Sequence, residues 1–410
     1  MIRNVLYLSY DGLTDPLGQS QVLPYLLGLK RQGFRFTIVS FEKKERLKRE
    51  GSVIQELIAG TGIQWVPLSF TATPPVLSKM YDRYRMKRIA FRLQKENNFH
   101  LIHCRSYVAA EVGLKLKRTF NVPFLFDMRG FWADEKVDNG QWPLKSPIFK
   151  RIYKYYKEKE KQFLLRADGI VSLTYAAKDY LHQQPSFAQL KIDVIPCCAD
   201  LDHFNYNNVE QSVIQSLKRK LNIPDERKVL CYLGSVGGWY MVSEMLHFFK
   251  LLNEKNNYIF LILTKEDPSL VQVEAMSAGL NLKDIRITYS SRKELPLYLS
   301  ISTASIFFIR NSFSKIASSP TKLGELMGMG IPVICNSIGD TEYIIKKSRA
   351  GLLINEFNES TIKSQLSNIN ILGSLPKEEI RKGAFEFFDL QNGIDKYKDL
   401  YIRVLNHAQS

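Results

Sequence analysis

The chain has little that would staple, anchor or metallate it. Its 410 residues include five cysteines, an odd number with no Cys-x-x-Cys pair. Cys104, Cys197, Cys198, Cys231 and Cys335 mostly sit in apolar runs, which reads as reduced, buried thiols rather than a disulfide framework. The six histidines show no ligand spacing with cysteines or carboxylates, so no metal site is expected. Apolar runs such as Tyr258 to Leu263 or Ile306 to Ile309 fall far short of the ~20 residues a spanning helix needs. Met1 leads into a strand-like segment with no basic n-region or cleavage site, so no signal peptide is expected and the cytoplasm is the expected compartment. Repeats and low-complexity tracts are also missing.

Positive charge, by contrast, is plentiful: 57 Lys and Arg against 41 Asp and Glu give a net charge of +16. Such a balance speaks to partners rather than fold, namely nucleic acid, anionic lipid or phosphorylated small molecules. The basic residues form no helix-turn-helix, finger or aromatic-platform pattern, so nucleic acid is not the expected partner. A hydrophobic fraction of 45% is enough for real cores, and the length suits two domains of similar size.

Short apolar segments alternate with amphipathic ones from end to end, the pattern of parallel α/β folds. Strands are predicted over Val5–Ser9, Phe36–Phe41, Ile63–Pro67, Leu101–Cys104, Phe124–Asp127, Gly169–Leu173 and Ile192–Ile195, with helices between them such as Ser20–Gln32 and Tyr107–Arg118. The rhythm restarts at Val229–Leu233 and runs through Ile259–Thr264, Ile285–Tyr289, Ser305–Ile309, Pro332–Asn336 and Gly351–Ile354. The polar stretch Asn205–Arg227 reads as the joint, giving domains at 1–205 and 206–385. Lys377–His407 reads as helix, with Tyr397, Leu400, Tyr401 and Val404 on one face; 386–410 forms a C-terminal helical tail.

The most informative segment runs from Ser318 to Val333. Ser319 suits an N-cap and Pro320 a first helical position, so a helix start is aimed at the carboxyl edge of a parallel sheet, where open α/β folds bind ligands. Free N–H groups and the positive dipole end suit a phosphate there, and Lys322 adds a full charge in the first turn. Glu325 follows ~4.5 Å along the axis, where a carboxylate can accept from both hydroxyls of a ribose.

The Ser-Pro-Thr-Lys-x-x-Glu segment followed by Gly-x-Pro-Val resembles the nucleotide-sugar site of the retaining family 4 glycosyltransferases, group 1 enzymes of the GT-B fold. Asp168-Gly169-Ile170-Val171 and the Ile195–Phe204 stretch resemble the family's last N-domain strands. Tyr232-Leu233-Gly234-Ser235 resembles the strand and glycine turn that open its C-domain. The resemblance covers nearly the whole chain. It implies an α/β protein of two doubly wound Rossmann-like domains facing a cleft, with the tail helix returning to the first. It further implies sugar transfer with retention from a UDP- or GDP-type donor to a glycan acceptor. No metal is required, and no cofactor beyond the nucleotide sugar as co-substrate.

Carried over by position, the resemblance puts Ser235, Tyr289, Ser319, Thr321, Lys322 and Glu325 on the donor. Glu325 matches the second glutamate of the family's pair; the first would fall at Ala317, which is not acidic. The basic pair usual after the glycine turn is missing, since Ser235 and Gly237-Gly238-Trp239-Tyr240 occupy that region, and the diphosphate charge shifts onto Arg310 and Lys322. In the first domain, Asp15 to Ser20 resembles the family's glycine loop, with backbone N–H groups facing the cleft and Gly18 and Gln19 lining it. Asp127, His103 and Arg105 stand at strand ends as further acceptor-side contacts. Arg129 falls where the family often has a histidine near the reacting sugar, so Arg129, Arg310 and Lys322 are the catalytic candidates. Asp200-Leu201-Asp202 has metal-binding spacing but reads as a structural linker.

Two basic stretches with interleaved aromatics, Lys79 to Lys95 and Phe149 to Lys157, suit helices lying on anionic lipid. Many members of the family extend lipid-linked glycans, so peripheral binding at the inner face of the cell membrane and a lipid-linked acceptor are expected. Three readings stay open beside this one: a sugar-nucleotide epimerase of the same fold, a basic nucleic-acid-binding protein, and an inactive scaffold, given Ala317.

Overall fold

Strands form wherever the apolar runs lie, because parallel strands covered by helices on both faces must be apolar throughout. The computed structural model describes residues 3–254 and 257–407. The chain divides into two units, the first made of Met1–Pro196, Phe313–Ser318 and Leu390–Ser410, the second of Cys197–Ser312 and Ser319–Asp389.

In the first unit, β1 (Arg3–Ser9), β2 (Phe34–Glu42), β3 (Gln64–Ser69), β4 (Leu101–Arg105), β5 (Phe124–Asp127), β6 (Gly169–Ser172) and β7 (Ile192–Val194) pair in the order β3-β2-β1-β4-β5-β6-β7. The order reverses between β1 and β4, which opens a crevice at their carboxyl ends. Register sets Tyr7 beside His103, Ser9 beside Arg105, and Arg105 beside Asp127. With a period of two, these side chains share one face of the sheet. The helix Leu390–His407 covers that face through Tyr397 and Tyr401, whose rings lie 5.5 and 5.8 Å from the His103 ring.

The second unit repeats the plan. Here β8 (Lys228–Leu233), β9 (Tyr258–Leu263), β10 (Ile285–Thr288), β11 (Ala304–Phe307), β12 (Val333–Cys335) and β13 (Gly351–Leu353) pair in the order β10-β9-β8-β11-β12-β13, reversing between β8 and β11. All five cysteines are buried and none forms a disulfide. No helix among the described residues is long and apolar enough to cross a membrane.

Three boundaries differ from expectation. The second unit starts at Cys197, not near Tyr206. Ala199, Leu201 and Phe204 lie in its core, and Ala199 N–H donates to the Phe388 carbonyl at 2.8 Å. The expected joint instead contains the helix Gln211–Lys220. The tail is two helices, Lys377–Phe388 and Leu390–His407, and the unit boundary falls between them at Asp389 rather than at 386; residues 408–410 lie outside the described residues. Phe388 belongs to the second unit's core, whereas Tyr397, Leu400, Tyr401 and Val404 are buried in the first. The helix expected over Ser20–Gln32 is broken at Val22 into Pro16–Gln21 and Leu23–Arg31, because Pro24 has no N–H to continue the ladder.

Candidate functional site

In the second unit, the helix Thr321–Gly328 starts with Pro320 as its N-cap and no side-chain cap. Ser319, expected to cap it, instead accepts a hydrogen bond from Cys197 N–H at 3.1 Å. Leu323 N–H donates to the Pro320 carbonyl at 3.0 Å, but proline offers no side-chain oxygen, so the Thr321 and Lys322 N–H groups are left for another acceptor.

Lys322 in that turn is only 7% exposed. Its Nζ has no hydrogen-bond partner among the described residues. It lies instead 3.6 Å from the ring centroid of Tyr240, 4.6 Å from that of Tyr232 and 5.6 Å from that of Phe307. Ring faces attract a cation, and more so when it is desolvated, yet they replace only part of the lost hydration. Burial pushes the Lys322 pKa down to about 7, with Glu325 pulling it back up. Gly234 ends β8 with φ 144°, and a side chain there would collide with the Lys322 ammonium and the Tyr232 hydroxyl.

The Gly237–Tyr240 run folds back along the end of β11. Arg310 N–H donates to the Trp239 carbonyl at 2.8 Å and Met241 N–H to the Phe308 carbonyl at 3.0 Å. This seats the exposed Arg310 guanidinium 5.1 Å from the Trp239 ring and Tyr240 against Lys322. Where the resembling family has a basic pair, this chain has aromatic platforms that carry two cations from elsewhere.

Glu325, buried, accepts from Arg292 Nη1 at 2.8 Å. Arg292 is held in turn by the Phe204 ring at 5.3 Å, and His203 Nε2 lies 3.0 Å from its carbonyl. Thr321 is half-buried and Ser235 exposed; the Ser235 carbonyl accepts from the Tyr232 hydroxyl at 2.5 Å. Tyr289 stands apart, half exposed just past β10, two strands or about 10 Å from β8 at ordinary strand spacing, with Lys265 Nζ 5.0 Å from its ring.

In the first unit the turn that leads into the Asp15–Ser20 loop is filled by a carboxylate. Glu42, fully buried at the end of β2, accepts from Leu13 N–H (2.8 Å), Thr14 N–H (3.1 Å) and Thr14 Oγ1 (2.5 Å). These groups belong to the turn just before Asp15–Ser20; within the loop itself Asp15 N–H donates to the Gly12 carbonyl at 3.2 Å and Gln19 N–H to the Asp15 carbonyl at 3.1 Å. Gly18 is a packing glycine, since a Cβ there would meet the backbone of Gly12 and Leu13. Gln19 is half-buried.

At the β1/β4 crevice sits a buried charge cluster. Burial pulls the His103 pKa down, so the ring is neutral. Its Nδ1 lies 2.6 Å from the Tyr401 hydroxyl and its Nε2 3.5 Å from Asp127 Oδ2. Asp127 is also pushed up by burial, but Arg129, His103 and Arg105 outweigh this and hold the carboxyl below its usual range. An ionised Asp127 calls for the proton on Nε2, leaving Nδ1 to accept from Tyr401. With both nitrogens engaged, His103 orients Asp127 and offers no free nitrogen to a ligand, a correction to its expected place among the acceptor-side contacts. Arg129, at φ 57°, has Nη1 3.9 Å from Asp127 Oδ1. Arg105 Nη1 is 3.9 Å from Asp127 Oδ2 and its Nε 3.4 Å from the half-exposed Asp11.

Ala317 lies in the first unit's core, with its carbonyl 3.8 Å from where a Gly130 Cβ would stand. Its neighbours fix it there: Phe313 stacks on Phe131 at 5.2 Å and Thr174 Oγ1 donates to the Ile316 carbonyl at 2.8 Å. A glutamate at this position would be buried.

Residues 21–203 match the family model "Glycosyltransferase Family 4" and residues 213–380 match "Glycosyl transferases group 1". The chain belongs to the group 1 glycosyltransferases. An uncharacterized glycosyltransferase of Bacillus subtilis, YqgM, is 24% identical over 328 residues, covering 77% of this chain and 81% of that one. Among solved structures, a glycosyltransferase of Rickettsia africae is 16% identical, with a TM-score of 0.71 over 98% of this chain and 99% of its own. HepE of Anabaena, in complex with UDP and glucose, is 13% identical, with a TM-score of 0.68 over 96% of this chain and 98% of its own. These likenesses identify the fold as GT-B.

This assignment decides among the sequence readings in favour of a transferase. The glycosyltransferase gathers Lys322, Glu325, Thr321 and Gly234 around one helix start, and Arg310 beside it on Trp239. Sequence reading missed Arg292, Tyr232, Tyr240, Trp239 and Glu42. Only the Gly-Gly-Trp-Tyr run, unusual after a glycine turn, signalled that aromatics had replaced charge. Asp200 closes a turn, its Oδ1 accepting from Asp202 N–H (3.1 Å) and His203 N–H (3.0 Å).

Proposed function

We propose that this glycosyltransferase takes its sugar from a nucleoside-diphosphate donor bound by the second unit and passes it, with retention, to a lipid-linked glycan acceptor bound by the first. The observation that carries the donor assignment is the buried Lys322 ammonium, without a hydrogen-bonding partner among the described residues, beside a helix start with no side-chain cap at the β8/β11 reversal. A diphosphate supplies what both lack, namely oxygens for Nζ and for the first-turn N–H groups. Glu325, braced by Arg292, is placed to accept from ribose hydroxyls. UDP is the first donor to try because the similar HepE is described with UDP and glucose.

In the transfer, the bond between the sugar's anomeric carbon and the diphosphate oxygen breaks, and the electron pair leaves with the diphosphate. Lys322, Arg310 and the helix start stabilise that developing charge. The acceptor hydroxyl attacks the oxocarbenium-like carbon on the face the diphosphate leaves and gives up its proton to the departing oxygen. Two protein cations on the diphosphate make a metal unnecessary in this scheme, so activity should survive excess EDTA; loss that Mg²⁺ or Mn²⁺ restores would sink this part.

Support for a lipid-linked acceptor comes from the helices Pro75–Asn97 and Pro147–Arg166 of the first unit. Leu77, Met80, Tyr81, Tyr84 and Ile148 are exposed at 53–67%, and Arg88, Lys150, Arg151 and Lys154 are exposed beside them in sequence. Arg83 and Arg85, by contrast, are spent internally on Glu111 (2.5 Å) and the Ser69 carbonyl (2.8 Å). The deciding experiment is a thermal-shift screen of UDP, GDP and ADP on the wild-type protein, followed by transfer from the matching sugar nucleotide. A ligand at 100 times its dissociation constant stabilises by about 2.7 kcal/mol; no shift with any nucleoside diphosphate would overturn the donor assignment.

A further inference from the structure

The chain leaves the second unit at Ser312 and re-enters it at Ser319, and the residues between, Phe313–Ser318, belong to the first unit. Only Ser319 and Pro320 separate this excursion from the helix Thr321–Gly328 that carries Lys322. The first unit holds it residue by residue. Phe313 stacks on Phe131 at 5.2 Å and meets the Tyr180 ring edge-on at 4.9 Å. Ser314 N–H donates to Asp138 Oδ2 at 2.9 Å, and Lys315 Nζ lies 3.2 Å from Glu135 Oε1. The Ile316 carbonyl accepts from Thr174 Oγ1 at 2.8 Å, and Ala317 is buried in that unit's core.

These holds come from the carboxyl edge of the first sheet. Glu135 and Asp138 lie on the helix Trp132–Asp138, which follows β5 with Phe131 as its N-cap. Thr174 is the N-cap of the helix Tyr175–His182, which follows β6. The link onward is short. From Ala317 to Thr321 the chain can span at most about 14 Å, Pro320 fixes its own φ, and Ser319 Oγ is held by Cys197 N–H at 3.1 Å. Such a link passes a shift of Phe313–Ala317 on to Thr321 and Lys322. There a small shift matters, because charge-assisted hydrogen bonds to a phosphate need close and aligned donors. Ala317 in place of the family's first glutamate suits the packing, since a carboxylate buried in this core would need a partner.

We propose that Phe313–Ser318 is a strap by which the first unit positions the donor helix start, with Asp138 and Thr174 as positioning residues for the Lys322 ammonium and the Thr321 and Lys322 N–H groups. The strap is inferred from its own contacts; its effect on the donor rests on the reading that this helix start holds a diphosphate. Coupling between two such sites is reciprocal. Anchors that favour nucleotide binding are themselves tightened by bound nucleotide.

The test uses the full chain as wild type, Asp138→Ala and Asp138→Asn, the last of which keeps an acceptor for Ser314 N–H. Amide hydrogen exchange is followed without ligand over residues 313–328, and UDP affinity is measured by calorimetry. Asp138→Ala should exchange at least fivefold faster over that stretch and bind UDP at least fivefold more weakly, while Asp138→Asn stays close to the wild type in both. In the wild type, UDP should slow exchange over residues 132–138. Phe313→Ala, at a residue 37% exposed, should act as Asp138→Ala does and keeps the test readable if that variant fails to fold. An anchor that is only structural would lower the melting temperature and leave UDP affinity alone. Unchanged exchange over 313–328 in the folded variants, or wild-type UDP affinity in them, overturns the strap. Absent UDP binding in the wild type, with exchange still following Asp138, fails the donor reading alone; intact UDP binding that ignores these substitutions fails this inference alone.

Discussion

Lys322 sets two pH dependences of opposite sign. In the folded protein its pKa falls from 10.5 to about 7, while the unfolded chain keeps the ordinary value. Between these limits the unfolded state binds more protons, so stability rises with pH across the window and its loss is complete once pH falls below about 7. Lys322→Met removes this dependence. The variant's melting temperature should exceed the wild type's most at pH 6 and converge on it toward pH 10; a difference that does not change with pH would contradict the burial argument. Diphosphate binding goes the other way, because the ammonium must be charged to pair with phosphate. Above pH 7 UDP binding should take up a proton, seen as a buffer-dependent calorimetric enthalpy that vanishes in Lys322→Met. Glu325→Ala should weaken nucleotide binding by ~1–3 kcal/mol through lost charge-assisted hydrogen bonds, and wild-type affinity in the folded variant would remove Glu325 from the site.

The elements that present these residues were legible in uneven measure. Parallel strands buried on both faces read as apolar runs, so segments such as Tyr258–Leu263 and Phe124–Asp127 could be found from composition alone. Helix starts were harder. Ser319 looks like a cap by its side chain, but Cys197 N–H claims it. Glu42 reads as an ordinary strand-end carboxylate and turns out to fill a loop almost thirty positions earlier in the chain. Tyr232 and Tyr240 look like core aromatics; their role against a cation appears only when the turn at Gly234 brings Lys322 between them. That turn can be tested directly. At φ 144° and without room for a Cβ, Gly234→Ala should cost of order 1–3 kcal/mol of stability and weaken UDP binding, whereas an equally placed surface substitution would do neither. Unchanged melting and UDP affinity would show that the cage does not depend on the glycine.

At the scale of the whole molecule, the excess of +16 is more than one diphosphate site would use. Under the proposed lipid-linked acceptor, the exposed basic and aromatic residues of the first unit's helices would use more of it, at roughly 1 kcal/mol per Lys or Arg near an anionic surface. Sedimentation with vesicles should show binding that requires anionic lipid, falls with added salt and drops when Arg88, Lys150, Arg151 and Lys154 are neutralised. Equal partitioning onto neutral vesicles would leave a soluble acceptor. The domain joint escaped sequence reading because Asn205–Arg227 is polar, as a linker would be, yet folds as the second unit's surface, while Ala199, Leu201 and Phe204 had already entered that unit's core. The central claim is that a nucleoside diphosphate is held by the buried Lys322, and calorimetric titration of UDP into wild type and Lys322→Met at pH 6.5 tests it most directly. The account predicts saturable binding to the wild type and at least tenfold weaker binding to a fully folded Lys322→Met; equal affinity in the two proteins would contradict it.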